Sequence, residues 1–201
     1  MQNSSSIPID PFLKAREAMV VSQLQPSGVI TERVLNAYRA VPRENFLPRD
    51  KSGSCYMDET ILLSDGSFMV EPMVHGIMME HAAIQNGDKV LIVGDQTGYS
   101  SAIARELGGV VTDCLTAKGA PDSAPYDVIF VAGSICTITE DLKTQLKTGG
   151  VMVAILCADI TQMGKIIVAS KQQNNDVSIR SLKDAKLPYI QGSTPEQKFI
   201  F

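Results

Sequence analysis

The chain has no dense lysine and arginine cluster, no Cys-x-x-Cys pair and no uncharged apolar run of ~18 residues, the length that spans a bilayer. Each absence excludes a class of function. The net charge is −4, so nonspecific attraction to nucleic acid phosphate is disfavoured. Cys55, Cys114, Cys136 and Cys157 are far apart, and no two have metal-ligand spacing. They read as reduced, mostly buried, small apolar residues. His75 and His81 stand six residues apart, poor spacing for a shared metal, and read as packing or surface groups. No metal is expected. The opening "MQNSSSIPIDPFLKAR" lacks a basic segment followed by an apolar one, so neither a secretory signal nor a membrane anchor is expected, and the cytoplasm is the expected location. Charged residues make up 20%, below the usual quarter, which argues against wholesale disorder.

What is present suits one folded domain. The 201 residues are 44% hydrophobic, enough to bury a substantial core. The expected organisation is a single domain over 1–201, with 1–85 as an N-terminal helical extension packed on an α/β core at 86–201. From Pro11 to Leu24, Phe12, Ala15, Met19 and Gln23 recur at helical spacing. Thr31 is placed to cap a second helix whose inner face is Val34, Leu35, Tyr38 and Val41. Pro42 ends it, because the residue before proline avoids helical angles. Pro72 suits the first turn of a third helix carrying Met73, Val74, Ile77, Met78 and His81 to one side. The methionines at 69, 73, 78 and 79 read as core filler.

The rhythm then changes. "KVLIVG", "GVVTDCL", "YDVIFVAG" and "VMVAILC" are short, near-continuous apolar runs, as in strands buried on both faces. Helical segments separate them, at Tyr99 to Leu107 and in "ITEDLKTQLKTGG", where a glycine stop is expected and Glu140 and Asp141 suit the helix start. Alternating strands and helices imply a parallel, three-layer α/β domain. "GKIIVAS" and "VSIRSL" alternate more and suit antiparallel pairing.

The stretch "VLIVGDQTGYSSAIAREL" places Gly94, Asp95, Gln96, Thr97 and Gly98 between a strand and a helix. In open α/β sheets ligands lie at the carboxyl ends of strands, where strand order reverses. Glycine lets a ligand approach bare backbone, and the following helix start offers free N–H groups. The spacing does not match the G-x-G-x-x-G of a dinucleotide site. A plain strand-to-helix turn is the competing reading.

"MVVSQLQPSGVITERVLNAYRAVPRENFLP", "YMDETILL", "EPMVHGIM", "GDKVLIVGDQTGY", "APYDVIFVAG" and "LKTGGVMVAIL" together resemble the protein-L-isoaspartate O-methyltransferase family. "LPYIQGSTPEQKFIF" resembles an ending common among bacterial members. The resemblance runs from about Phe12 to Phe201. It implies a Rossmann-like methyltransferase sheet, S-adenosylmethionine as cofactor, and a protein or peptide substrate bearing isoaspartyl residues. A carboxylate is already an adequate nucleophile toward a sulfonium methyl group, so such an enzyme works by orientation and electrostatics. The sequence accordingly nominates no catalytic acid or base. The cofactor-binding candidates are Gly94, Asp95, Gln96, Thr97, Gly98 and Asp113.

Against the family pattern, Ile92 stands where an acid is expected and Gln96 where a middle glycine is expected. Val70, in "GSFMVEP", takes the place of a hydroxyl residue, with Ser67 shifted beside it. Only "GGVVTDCLTAKGAPDSAP" separates the first helix of the sheet from "YDVIFV", leaving room for one strand and a loop. The sheet is therefore expected to be short by one βα unit relative to the family's usual seven strands. Asp113 is the ribose-binding acid if "VVTD" is the second strand; the alternative places it on the third. Asp58 and Glu59 read as a solvated loop pair or as part of the substrate side. Two functions follow: a carboxyl methyltransferase with impaired activity, or an inactive methyltransferase fold serving as a binding or scaffolding module.

Overall fold

The computed structural model describes residues 10–174 and 176–195. Two short strands, β1 (Ile61–Leu62) and β2 (Phe68–Met69), form a separate antiparallel pair. The main sheet holds six strands: β3 (Lys89–Val93), β4 (Val110–Cys114), β5 (Tyr126–Ile135), β6 (Leu146–Leu156), β7 (Gly164–Lys171) and β8 (Val177–Ala185). Their spatial order is β4-β3-β5-β6-β7-β8. The first four run parallel; β7 pairs antiparallel with β6, and β8 antiparallel with β7. The helices are α1 (Pro11–Met19), α2 (Glu32–Ala40), α3 (Pro72–Ala82), α4 (Tyr99–Glu106) and α5 (Glu140–Gln145). A π-helical turn, Val20–Leu24, extends α1.

Side chains on β3 alternate between two cores, as strand geometry requires. Val90 and Ile92 face the helical layer, with Tyr38, Met78 and Ile103. Leu91 and Val93 face the opposite side, with Ile129, Val131 and Leu142. Burial on both faces is why these strands read as apolar runs. Met69, Met78 and Met79 are fully buried in the first core.

Between Leu107 and Tyr126 there is one strand, β4, followed by a loop. β4 pairs directly with β3, setting Ile92 opposite Asp113, so Asp113 stands on the second strand of the two alternatives. Gln145 secures the shortened loop: its amide donates to the Lys118 carbonyl at 2.7 Å and accepts from the Ala120 N–H at 2.7 Å.

Some local expectations fail for identifiable reasons. Thr31 precedes α2, but its hydroxyl donates to Glu80 at 2.5 Å rather than capping the helix. α5 ends at Gln145 because Leu146 begins β6; the glycines at 149 and 150 lie inside the strand. Cys55 and Cys157 are buried, whereas Cys114 and Cys136 are only partly so.

Candidate functional site

Strand order reverses over β3: the chain goes from β3 to β4 on one side, then to β5 on the other. The crevice beyond the carboxyl end of β3 is where the topology places a ligand. A cavity of about 370 Å³ lies there, lined by Gly66, Phe68, Gly94, Gln96, Leu115 and residues 188–191. That is at the small end for a ligand pocket.

The loop from Gly94 to Gly98 is built around one carboxylate. Asp95 accepts from the backbone N–H groups of Thr97, Gly98 and Ser100 at 3.1, 3.0 and 2.7 Å, and from the Thr97 hydroxyl at 2.8 Å. These N–H groups open α4 and would otherwise await an anion. Asp95 therefore faces into the loop as a cap, while Gln96 is exposed at the cavity wall. Asp113 is also engaged within the chain. It accepts from the Ser101 hydroxyl and pairs with Arg105 at 2.8 Å. Ile92 is 1% exposed and packs in the helical-side core.

Tyr99 points away from the crevice. Its ring lies under the Arg43 guanidinium, 4.7 Å from the centroid. Arg43 is fully buried and donates to the carbonyls of Cys55 at 2.7 Å and Val70 at 2.8 Å. His75 bridges Tyr38 Oη at 2.5 Å and Ser100 Oγ at 3.0 Å. Burial, with the Arg43 charge second, pushes the His75 pKa down to about 3, so it is a neutral packing group. His81 is half-buried, and among the described residues no cluster of His, Cys, Asp and Glu is placed to hold a metal. Asp58 accepts from the Met73 N–H at 2.9 Å and so caps α3, while Glu59 is exposed. Ser67 donates to Asp65 at 2.5 Å, and Val70 is buried.

Of the loop residues, Gly94 and Gln96 line the cavity; Asp95, Thr97 and Gly98 do not, and Asp113 lies against Ser101 and Arg105 of α4. Sequence reasoning missed the crevice's other wall: Gly133, Ser134 and residues 187–191. "LPYIQ" is too short for a periodic signal, and only the topology carries it there.

The sequence profile of Protein-L-isoaspartate(D-aspartate) O-methyltransferase (PCMT) matches residues 15–115 and 109–192. The chain belongs to the protein-L-isoaspartate O-methyltransferase family. A relative of that name from Rhodopseudomonas palustris is 31% identical, with 87% of this chain and 92% of the relative aligned. One from Aeropyrum pernix is 32% identical over 90% of this chain and 80% of its own length. Among solved structures, a protein-L-isoaspartate O-methyltransferase superposes with a TM-score of 0.77 at 22% identity, covering 88% of this chain and 66% of that one. A putative enzyme of the family from Plasmodium falciparum, in complex with S-adenosyl-L-homocysteine, superposes with a TM-score of 0.72 at 14% identity, covering 91% of this chain and 99% of that one. These likenesses establish the Rossmann-like methyltransferase fold.

S-adenosylmethionine is the cofactor of the family, and the crevice beyond β3 is where the fold places it. A Cβ on Gly94 would lie 2.3 Å from Ile190 Cγ2, and one on Gly133 would lie 2.7 Å from the same atom. Ile190 therefore packs against the backbone at Gly94 and Gly133, and Gly94 still lines the cavity beside it. Asp95 and Asp113, the acids nominated for the cofactor, are both already hydrogen bonded.

Proposed function

We propose that this protein is a protein-L-isoaspartate O-methyltransferase with impaired methyl transfer, directed at isoaspartyl carboxylates of proteins or peptides. S-adenosylmethionine is the methyl donor that the family membership supplies. The observation that carries the impairment is the state of the nominated cofactor-site acids. Asp95 caps α4, Asp113 is paired with Arg105 and Ser101, and the third position is Ile92. Of the nominated acids only Asp113, half-exposed and already bonded to Ser101 and Arg105, keeps acceptor capacity for ribose hydroxyls, and Ile92 offers none for the amino-acid end of a cofactor. Each missing hydrogen bond to a charged group costs ~1.5–3 kcal/mol. The loss at Ile92 weakens binding by roughly 10- to 10²-fold, at about 1.4 kcal/mol per decade.

On the acceptor side, Val70 offers no hydroxyl, and its carbonyl is held by Arg43. Orientation of a substrate carboxylate then falls to backbone groups and to the cavity wall. The second reading, a methyltransferase fold serving as a binding module, is favoured by the position of Ile190 over Gly94.

The test is radiolabelled methyl transfer to an isoaspartyl peptide, run beside a calorimetric titration with S-adenosylmethionine. Weak binding and slow methylation are expected. The Gln96→Gly variant is expected to leave methylation unchanged, because Ile92 still offers no carboxylate and Asp113 is still paired with Arg105. Tight binding with robust peptide methylation overturns the impairment. Weak binding with no methylation at any cofactor concentration favours the binding module.

A further inference from the structure

Arg43 is fully buried, and among the described residues no carboxylate pairs with it. Its neighbour Glu44 is taken by Arg16 at 2.7 Å. The Arg43 charge is held instead by two carbonyls and a ring. Nε donates to the Cys55 carbonyl at 2.7 Å and Nη2 to the Val70 carbonyl at 2.8 Å, while the guanidinium lies 4.7 Å from the centroid of Tyr99. Nη1 has no partner. Burying an arginine without a carboxylate costs more than burying an apolar side chain of its length. Packing of the helical layer therefore does not account for it.

What Arg43 joins is more telling. Val70 directly follows the β1–β2 hairpin, whose Gly66 and Phe68 line the cavity beyond β3. Tyr99 directly follows the Gly94–Gly98 loop, whose Gly94 and Gln96 line the same cavity. One guanidinium thus touches the segments on two sides of the crevice without lining it. Its own position is fixed. Arg43 and Phe46 belong to one 3₁₀ turn, and the Arg43 N–H donates to Tyr56 Oη at 3.3 Å. Phe46 meets Tyr99 edge to face, with centroids 5.4 Å apart, so the turn holds the Tyr99 ring at two points. Ser100, the next residue, is held by the Asp95 cap and by His75. The loop is therefore clamped at its helix end.

We infer that Arg43 is a positioning residue for methyl transfer, holding the Gly94–Gly98 loop and the Gly66–Val70 segment in register across the crevice. The reaction is taken from the family reading above; the linkage of the two sides stands on the geometry alone. A planar fork can bond two carbonyls and stack on a ring at once, which a lysine ammonium cannot do. Transfer of a methyl group needs donor and acceptor aligned, and misplacement by about 1 Å costs ~10²-fold in rate.

The first experiment needs no ligand. Hydrogen exchange on the full chain compares the unaltered protein with Arg43→Lys. The Thr97, Gly98 and Ser100 amides, held by Asp95, and the Leu63 amide, held by the Ser67 carbonyl, are expected to lose protection together, by at least ~tenfold. The central strand β6 should stay within ~twofold. Loss on one side only, on neither, or equally throughout the sheet overturns the linkage. Tyr99→Leu is expected to free the loop amides alone, because Arg43 keeps its two carbonyls and Tyr99 Oη has no partner to lose. Should Arg43→Lys fail to fold, that variant decides: unchanged loop protection overturns the inference. The second experiment is kinetic. At saturating S-adenosylmethionine and isoaspartyl peptide, Arg43→Lys is expected to lower kcat at least ~tenfold, with both KM values within ~threefold. An unchanged kcat in the folded variant overturns the positioning role. No methylation by the unaltered protein sinks the family reading instead, and the exchange result then judges Arg43.

Discussion

The helical layer around Arg43 and the crevice beyond β3 use similar residue types to opposite ends. In the helical layer, Arg43, Tyr38, His75 and Tyr99 are buried together, and some polar capacity is left over. Among the described residues, the buried side-chain atoms without a partner are Gln23 Oε1, Arg43 Nη1 and Tyr99 Oη, all in this layer. In the crevice the pattern reverses. Asp95, Asp113 and Ser134 lie at the strand ends around it, and each is hydrogen bonded within the chain. A binding site differs from a scaffold in keeping groups free for a ligand. By that measure the crevice is finished like a scaffold, while the scaffold carries the loose ends. Of the departures from the family pattern, Gln96 lines the crevice, whereas Ile92 and Val70 are buried in the helical-side core.

The strongest way to sharpen this contrast is through His75, because burial has turned it into a pH-sensitive structural group. Its pKa in the fold is about 3, against 6.5 when unperturbed. Below pH 6.5 the unfolded chain takes up a proton that the folded chain refuses, so stability falls as pH drops from 6.5 toward 3. The slope from this one group approaches about 1.4 kcal/mol per pH unit. His75→Gln is expected to lower stability at neutral pH and to flatten this part of the profile, as read by urea unfolding at a series of pH values. Parallel profiles for the two proteins would show that His75 titrates normally and that the helical layer is open to water.

The crevice predicts a smaller effect. Asp95→Ala removes the cap on α4 and leaves several N–H groups at its start without a partner. Loss of such a cap costs about 0.5–2 kcal/mol, measurable as a shift of the urea midpoint at constant slope. If Asp95 were a ligand-binding acid held apart from the fold, its removal would leave stability unchanged.

Much of this was legible in the sequence, and the misses have physical causes. Strands buried on both faces read as apolar runs, so "KVLIVG" and "YDVIFVAG" located β3 and β5. The shortness of 108–125 foretold a single strand there. Ile92 and Gln96 stood out as departures by position alone. The direction of a carboxylate was not legible: Asp95 reads the same whether it faces a ligand or caps its own helix. Nor was the position of residues 187–191, since Leu187 and Ile190 pack against Gly94, Gly133 and Ser134, all more than fifty residues earlier. Thr31 failed as a cap because Glu80, from another helix, competes for its hydroxyl.

The smallest predicted effect tests whether the crevice can be returned toward a site. Arg105 and Asp113 form an ion pair at 2.8 Å with side chains 53% and 49% exposed. Pairs so exposed contribute about 0–1 kcal/mol and are screened by salt. Arg105→Gln is therefore expected to leave the unfolding free energy within about 0.5 kcal/mol of the unaltered protein. It also releases one oxygen of Asp113, although the Ser101 hydroxyl still holds the other. If Asp113 is the acid for ribose hydroxyls, S-adenosyl-L-homocysteine should bind roughly twofold tighter, the equivalent of a few tenths of a kcal/mol. The gain should be larger in the Ile190→Ala background, where a smaller side chain enlarges the cavity beside Gly94. Because the pair is exposed, the gain should shrink as salt rises and screens Arg105 in the unaltered protein. A gain that does not respond to salt would mean that Arg105 blocks the ligand by its bulk rather than by its charge. No gain in either background would remove Asp113 from the candidate site and leave Gly94 as the crevice's principal determinant.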